Sequence, residues 1–352
     1  MRIAAFLSIR KIASAGDEVT LDACLKGAYH SFVRSTKLTT QHTLSSINLM
    51  KNSASQLYLL NLGASYQHAF GFIRQLAVHL RNCLQTKSND SYKNVYNSQF
   101  VHCIDFWSLI LSTTCDQEAF SSRDSVVQSP LEPLIYHLVQ VALGAIRLIP
   151  TSRYFPLRLH VIRSLLRIVQ RTGTYIPLSP YLVEMLDAPE FQRKAKGTTL
   201  KPLDLEVNFR APLNYLRTSV YAGQIAEEVQ YLLLEFVATQ ARSLAFPELS
   251  IPISVQLRRT MKTFAHSSTS NKTETLLRTL LDKVAQQKVW VEKRRQGIDY
   301  APASLASKRK MDAFLKKEGP EGPLEAALKL AKKVRTQKKK LLEQSKVQID
   351  QA

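Results

Sequence analysis

Apolar residues recur three and four positions apart along most of the chain, which is the spacing of amphipathic helices rather than strands. The runs are about 15 to 20 residues long and are separated by short turns. They begin near Asp17, Thr39, Tyr66, Val95, Pro130, Pro156, Gln224 and Lys272. Because no run can bury its apolar face alone, the pattern predicts an all-α fold, an armadillo/HEAT-like α-solenoid of stacked helical hairpins. The sequence has no clean internal period, so this prediction depends on helix length and spacing.

The segment Pro130–Leu186 holds the most clearly delimited pair of predicted helices. The first ends before Pro150. The second is predicted over 156–172, because Pro156 is tolerated in a first helical turn and Gly173 lies where a left-handed C-cap is needed. Prolines and a glycine therefore fix the ends of both helices.

The second helix of this pair carries its apolar residues in one sector and a row of cations opposite. The cationic row consists of Arg163, Arg167 and Arg171, with His160 beside them. Two interpretations are open. The row is either a surface that binds phosphate or an acidic partner, or a solvated helix face with ordinary charges.

Changes in composition divide the chain into four predicted parts. Helical repeats occupy residues 1–115, and a Ser-rich loop follows at 116–130. A second set of helical repeats occupies 131–296 and includes an extended connection at 187–208. A basic, largely flexible tail occupies 297–352, since 16 Lys and Arg against 8 Asp and Glu follow from Val291 onward and aromatic residues are few.

The charge balance indicates polyanionic or acidic partners. The 352 residues contain 48 Lys and Arg against 28 Asp and Glu, a formal net charge of +20. A chain of this length can bury a core without disulfides or metal. Cys24, Cys83, Cys103 and Cys115 show no paired C-x-x-C spacing, so we expect no metal, no cofactor and a reducing compartment.

Membrane-spanning and targeting segments are not predicted. The most apolar window, 131–149, contains Glu132 and Arg147, which are unfavourable in a membrane-spanning helix. The N-terminal apolar patch is interrupted by Arg10 and Lys11 and is read as a first helix rather than a signal peptide.

Catalytic motifs are also missing from the sequence: it has no Gly-rich phosphate loop, H-E-x-x-H, G-x-S-x-G or D-x-D spacing. His102 and Cys103 are adjacent near Asp105, but neighbours on a helix point about 100° apart and cannot form a nucleophile and base pair together. We predict a protein that is not an enzyme.

Basic clusters are the remaining candidates for function. Lys308, Arg309 and Lys310, and likewise Lys338, Lys339 and Lys340, have the composition of nuclear import signals or polyanion-binding tails, although a solvated Lys-rich linker would look similar. The structured candidates for RNA or partner binding are Arg163, Arg167, Arg171, Arg294 and Arg295.

Several segments, in this order, resemble the nucleolar complex protein 2 family. They are Phe100-Val-His-Cys-Ile-Asp-Phe-Trp107, Ile146-Arg-Leu-Ile-Pro-Thr-Ser-Arg-Tyr-Phe-Pro-Leu-Arg158, Thr172-Gly-Thr-Tyr-Ile-Pro-Leu-Ser-Pro-Tyr-Leu182, Lys201-Pro-Leu-Asp204, Tyr215-Leu-Arg217, Ala245-Phe-Pro-Glu-Leu249 with Pro252, and Trp290-Val-Glu-Lys-Arg-Arg295. The resemblance covers about residues 40 to 300. One departure is that family members carry a long, charged N-terminal extension, whereas the predicted helices here begin almost at Met1.

The resemblance implies a non-catalytic assembly factor for large ribosomal subunit precursors in nucleolus and nucleoplasm. It also implies a heterodimer with sister nucleolar complex proteins, acting in maturation and in intranuclear transport and export, with pre-ribosomal RNA as a further candidate contact. No membrane or small-molecule substrate is expected. The alternative is a nuclear-transport-type solenoid adaptor that binds a protein cargo.

Overall fold

The computed structural model describes residues 2–117, 129–189, 196–265, 271–296 and 321–350. Its regular elements are helices, which confirms the all-α fold class. The α-helices are α1 (Arg2–Ala15), α2 (Glu18–Ser35), α3 (Gln41–Leu57), α4 (Leu62–Thr86), α5 (Asn89–Val95), α6 (Ser98–Thr114), α7 (Pro133–Leu148), α8 (Phe155–Thr172), α9 (Ser179–Leu186), α10 (Ser219–Thr239), α11 (Phe246–Ala265), α12 (Asn271–Arg295) and α13 (Pro323–Asp350). Short 3-10 turns lie at Ser152–Tyr154 and Leu213–Tyr215.

The chain divides into two compact units. The first contains Met1–Ile176 and Lys201–Leu216, and the second contains Pro177–Leu200 and Arg217–Ala352. Residues 118–128 of the predicted loop lie outside the described residues, so the division of the chain at that loop stays a prediction.

The first unit is built around α6, which packs against α8, α7, α2 and α3 and is buried on nearly every side. Trp107 of α6 has no exposed surface, and its indole Nε1 donates to the Tyr29 hydroxyl at 3.3 Å. The Tyr58 hydroxyl donates to the Leu25 carbonyl at 3.0 Å. An aromatic cluster that also includes Phe72 of α4 therefore ties α2, α3 and α4 to α6, and the polar atoms of Trp107, Tyr29 and Tyr58 are paired.

Helix α8 corresponds to the helix predicted over 156–172 and confirms its predicted ends. It runs from Phe155 to Thr172, Pro156 lies in its first turn, and Gly173 has φ 65° with its N–H bonded to the Val169 carbonyl at 3.1 Å. The segment 201–216 returns to this helix. There the Leu157 N–H donates to the Phe209 carbonyl at 3.2 Å, so non-helical backbone satisfies an amide of the first turn.

The second unit is centred on α10, which packs against α9, α12 and α13, while α11 packs against α9 and α12. Prolines usually interrupt helices, yet the single helix α11 begins at Phe246 and includes both Pro247 and Pro252. Pro247 occupies a first-turn position that needs no N–H, and Pro252 is held inside the helix. The Ser250 hydroxyl donates to the Pro247 carbonyl at 2.9 Å near the start of this helix.

Part of the predicted flexible tail is an ordered helix. Helix α13 packs on α10 and α12, and Leu324 in its first turn is fully buried. The Gln287 side chain of α12 connects the turn after α10 with the first turn of α13. It donates to the Ala241 carbonyl at 2.7 Å and accepts from the Leu324 N–H at 3.2 Å. Acidic residues of α10 pair with cations of α13, and composition alone does not reveal this pairing.

Candidate functional site

The predicted cationic row lies on the least buried side of α8, because apolar and small residues bury the other sides of this helix. Arg167 lies in the middle of the row. Its guanidinium pairs with the Asp105 carboxylate at 2.8 Å and donates to the Asp105 carbonyl at 3.2 Å and to the Ser108 hydroxyl at 3.0 Å. Only 30% of the Arg167 side chain is exposed, so this cation holds α8 against α6.

The ends of the row differ from its centre. Arg171 is half exposed and pairs with Asp116 at 3.3 Å. Arg163 is half-buried one turn before Arg167. The structure therefore brings the three arginines together on one side of α8 and sets two carboxylates of the first unit against them.

Asp105 is the centre of a largely buried ion cluster that joins three helices. The Lys51 ammonium of α3 lies 2.6 Å from its carboxylate, opposite Arg167 of α8, and the Ser164 hydroxyl donates to it at 3.3 Å. Burial by itself would raise the pKa of the Asp105 carboxyl, but Arg167 and Lys51 hold that pKa well below its usual range. The carboxylate stays charged and links α3, α6 and α8.

Two histidines contact the Phe209 ring, which comes from the returning segment 201–216. The ring centroids are 5.4 Å from His102 and 4.6 Å from His160. Burial lowers the pKa of His102 to about 4, and burial together with the Arg163 charge lowers that of His160 to about 3. Both rings are neutral near pH 7. Burial raises the pKa of the adjacent Cys103 thiol to about 11, so it is not a thiolate there.

The two candidate arginines at the end of α12 are engaged with neighbouring side chains. Arg294 lies over the Trp290 ring, 4.2 Å from its centroid. Arg295 pairs with Glu248 of α11 at 2.8 Å and donates to the Leu244 carbonyl at 3.3 Å. Arg295 therefore fixes α12 against the start of α11.

The predicted polyanion-binding lysines of the tail are only partly described. Lys308, Arg309 and Lys310 lie outside the described residues. Lys338 pairs with Glu227 of α10 at 3.1 Å, and Lys339 and Lys340 are exposed on α13. Their use in binding a partner stays a prediction.

An acidic row on α10 was not singled out from the sequence. Glu227, Glu228 and Glu235 face α13, and Glu228 is largely buried. Arg335 donates two hydrogen bonds to Glu228, and Lys332 lies 3.7 Å from Glu235. Glu235 follows Glu228 by seven positions and Glu227 by eight, and positions with these spacings share one face of a helix. This spacing is the signal in the sequence that could have predicted an acidic face on α10.

In the described ranges, no three His, Cys, Asp or Glu side chains are grouped so that they could hold a metal ion. Among the described helices, none combines the length and apolar character needed to cross a bilayer.

Comparison with known sequences identifies relatives over most of the chain. A sequence model of the Noc2p family matches residues 19–330. An uncharacterised NOC2 family protein of Schizosaccharomyces pombe is 38% identical over 351 residues, which cover 100% of this chain and 48% of the relative. Nucleolar complex protein 2 of Drosophila melanogaster is 35% identical over 295 residues, which cover 84% of this chain and 37% of the relative.

A plant relative extends the comparison. Nucleolar complex-associated protein 2 of Arabidopsis thaliana is 33% identical over 302 residues, which cover 86% of this chain and 37% of the relative. This chain spans less than half the length of each of the three relatives. The names of the Drosophila and Arabidopsis relatives describe those two proteins as nucleolar. The family match and these identities show that the chain belongs to the Noc2p family, the nucleolar complex protein 2 family that its sequence segments resemble.

Proposed function

We propose that this chain is a non-catalytic scaffold for the assembly of large ribosomal subunit precursors in the nucleolus. The observation that carries the proposal is the family match over residues 19–330, which includes helices of both compact units. The names of its relatives, nucleolar complex proteins, connect the family with ribosome formation. The net charge of +20 fits a protein that works beside ribosomal RNA.

The scaffold acts by binding. Its helical hairpins form an α-solenoid. A sister nucleolar complex protein binds along this solenoid, and the two chains form a heterodimer. The packing of the helices supports this proposal. Ion pairs such as those of Asp105 with Lys51 and Arg167 fix neighbouring helices of the first unit against one another. Stacked helical repeats present an extended surface to a partner.

Pre-ribosomal RNA is the second partner in this proposal. Exposed cations attract phosphate without reading sequence, and Arg171 and Lys339 are exposed. We place the tail cations Lys308, Arg309 and Lys310 in the same role, or in nuclear import. The heterodimer then accompanies the precursor from nucleolus to nucleoplasm and toward export.

Purification of the tagged chain from its own cells, with and without nuclease, tests the proposal. A scaffold co-purifies with large-subunit precursor RNA and ribosomal proteins, and nuclease releases most of them. A transport adaptor instead co-purifies with a protein cargo and without large-subunit precursor RNA even when nuclease is omitted, and that result would refute the scaffold.

A further inference from the structure

The outward side of α13 carries a row of exposed apolar residues. Leu330 is 64% exposed, Val334 is 55% exposed and Leu341 is 65% exposed. Aliphatic side chains with more than half of their surface in water, aligned on one helix, are unfavourable unless another surface covers them. Apart from these three residues, the exposed part of α13 is mostly polar or charged.

The row has the spacing of a coiled-coil seam. Ala327, Leu330, Val334, Gln337 and Leu341 follow one another at intervals of three, four, three and four residues. This is the a/d pattern that lets one helix pack against another, and a single polar residue in such a seam selects the register of the partner. The pattern distinguishes a helix-binding face from scattered surface hydrophobics.

Lysines border the seam. Lys333 and Lys340 each precede an a position, which places them at the g positions of the heptad. Residues at e and g set the choice of coiled-coil partner through charge. A helix with glutamates at its own e and g positions would pair with these lysines, whereas a second copy of α13 would face them with like charges.

The opposite side of α13 is fixed in place. Leu324 is buried, Arg335 is bonded to Glu228 and Lys338 to Glu227, while the N-terminal turn is held by Gln287. The docked side cannot receive a partner, and the exposed seam is presented on an ordered helix. Binding to this exposed seam costs less conformational entropy than binding to a mobile tail, because α13 is already ordered before the partner arrives.

We propose that the exposed face of α13, defined by Leu330, Val334, Gln337 and Leu341 and bordered by Lys333 and Lys340, binds an acidic amphipathic helix of a protein partner. Nucleic acid fits the face less well, because an aliphatic row offers neither base stacking nor hydrogen bonds. The inference rests on the proposed function only in taking the partner to be a protein of the same assembly. The acidic character of the helix follows from the lysines alone.

Binding to synthetic helices tests this face directly. The purified full chain is titrated into a fluorescently labelled peptide of four heptads with Leu at a and d and Glu at e and g. A second peptide has Lys in place of every Glu. We expect the acidic peptide to bind with one-to-one stoichiometry and the basic peptide to bind at least about tenfold more weakly, since like charges oppose association.

Paired variants identify the residues responsible. Lys333→Glu with Lys340→Glu should weaken binding of the acidic peptide at least about tenfold and strengthen binding of the basic peptide. The charge-matched control is Arg259→Glu with Lys262→Glu, two exposed cations of α11, and it should leave both affinities unchanged. Leu330→Asp with Val334→Asp should abolish binding. Val255→Asp, at an α11 position that is 58% exposed, is its control.

Several results would overturn the proposal. One is equal affinity of the chain for the acidic and the basic peptide. Another is that the seam variants and the control variants lose the same amount of affinity for the acidic peptide. A loss of single-stranded RNA binding in the seam variants without any peptide binding would assign the face to nucleic acid, and a change in self-association would assign it to a second copy. Circular dichroism of each variant shows whether the fold is intact. The peptide assay uses purified protein, so its outcome is independent of whether the chain co-purifies with precursor particles.

Discussion

Arg335 and Glu228 form a two-point contact between α13 and α10: the guanidinium donates to the two carboxylate oxygens at 2.7 and 3.1 Å. The same guanidinium lies over the Tyr231 ring, 4.4 Å from its centroid. Glu228 is largely buried, whereas 38% of the Arg335 side chain is exposed. This contact therefore holds α13 against α10, although composition alone predicts that this part of the chain belongs to a flexible tail.

Replacing Arg335 with Leu should loosen α13, because it leaves the Glu228 carboxylate buried without this cation. We expect the free energy of opening of α13 to fall by about 1–3 kcal/mol, a range reduced for the exposure of Arg335. Hydrogen exchange of the amides from 324 to 341 measures it. Lys329→Ala, which removes the exposed pair with Glu321, is the control and should change exchange little. Equal effects of both variants would contradict the assignment.

Replacing Asp105 with Asn should destabilise the first unit by about 3–5 kcal/mol, because the substitution leaves two cations close together without their carboxylate. Denaturant unfolding measures the loss. Asp90→Asn removes only the exposed pair with Lys93 and is the matched control. A loss no larger than that of the control would mean that Lys51 and Arg167 find other partners.

The same carboxylate predicts an acid dependence. Its pKa in the folded chain is lower than in the unfolded chain, so the unfolded state binds the proton first as the pH falls. The stabilisation is complete above the unfolded value of about 3.9 and is lost as the pH drops below it. Unfolding free energy should fall more steeply below this pH in the unmodified chain than in Asp105→Asn. Parallel curves would exclude this ion cluster as the cause.

His102 predicts a second dependence at higher pH. Its pKa is about 4 in the folded chain, against about 6.5 when unfolded, so only the unfolded state is protonated between these values. The contribution of His102 to stability is therefore full above pH 6.5 and falls as the pH is lowered, by about 2 kcal/mol between pH 7 and 5, and His160, with a folded pKa of about 3, adds a fall of its own. His102→Gln should flatten this fall and keep a partner for Thr39, while His137→Gln, at an exposed site, should not. An unchanged slope in His102→Gln would contradict the effect.

Local features of the fold were predictable from the sequence. The end of α8 at Thr172 followed from Gly173, whose φ of 65° suits a residue without Cβ. The start of α8 followed from Pro156, which fits a first turn because its missing N–H needs no partner there. Such signals involve neighbouring residues only, so a single sequence contains them.

The partners of the candidate residues were not predictable. Asp105 and Arg167 are 62 residues apart, and Glu228 and Arg335 are 107 apart, so no local spacing connects them. The arginine row on α8 suggested a free cationic face because its periodicity shows which side is polar, not what packs there. The lysines of α13 suggested a flexible tail because composition does not reveal the glutamates of α10 that neutralise part of their charge.

The sharpest test of the proposed scaffold role in large-subunit assembly is the ratio of large to small ribosomal subunits after rapid depletion of this chain from its own cells. We expect this ratio to fall and large-subunit precursor RNA to accumulate, while small-subunit precursor RNA is unaffected. An unchanged ratio after complete depletion would contradict it.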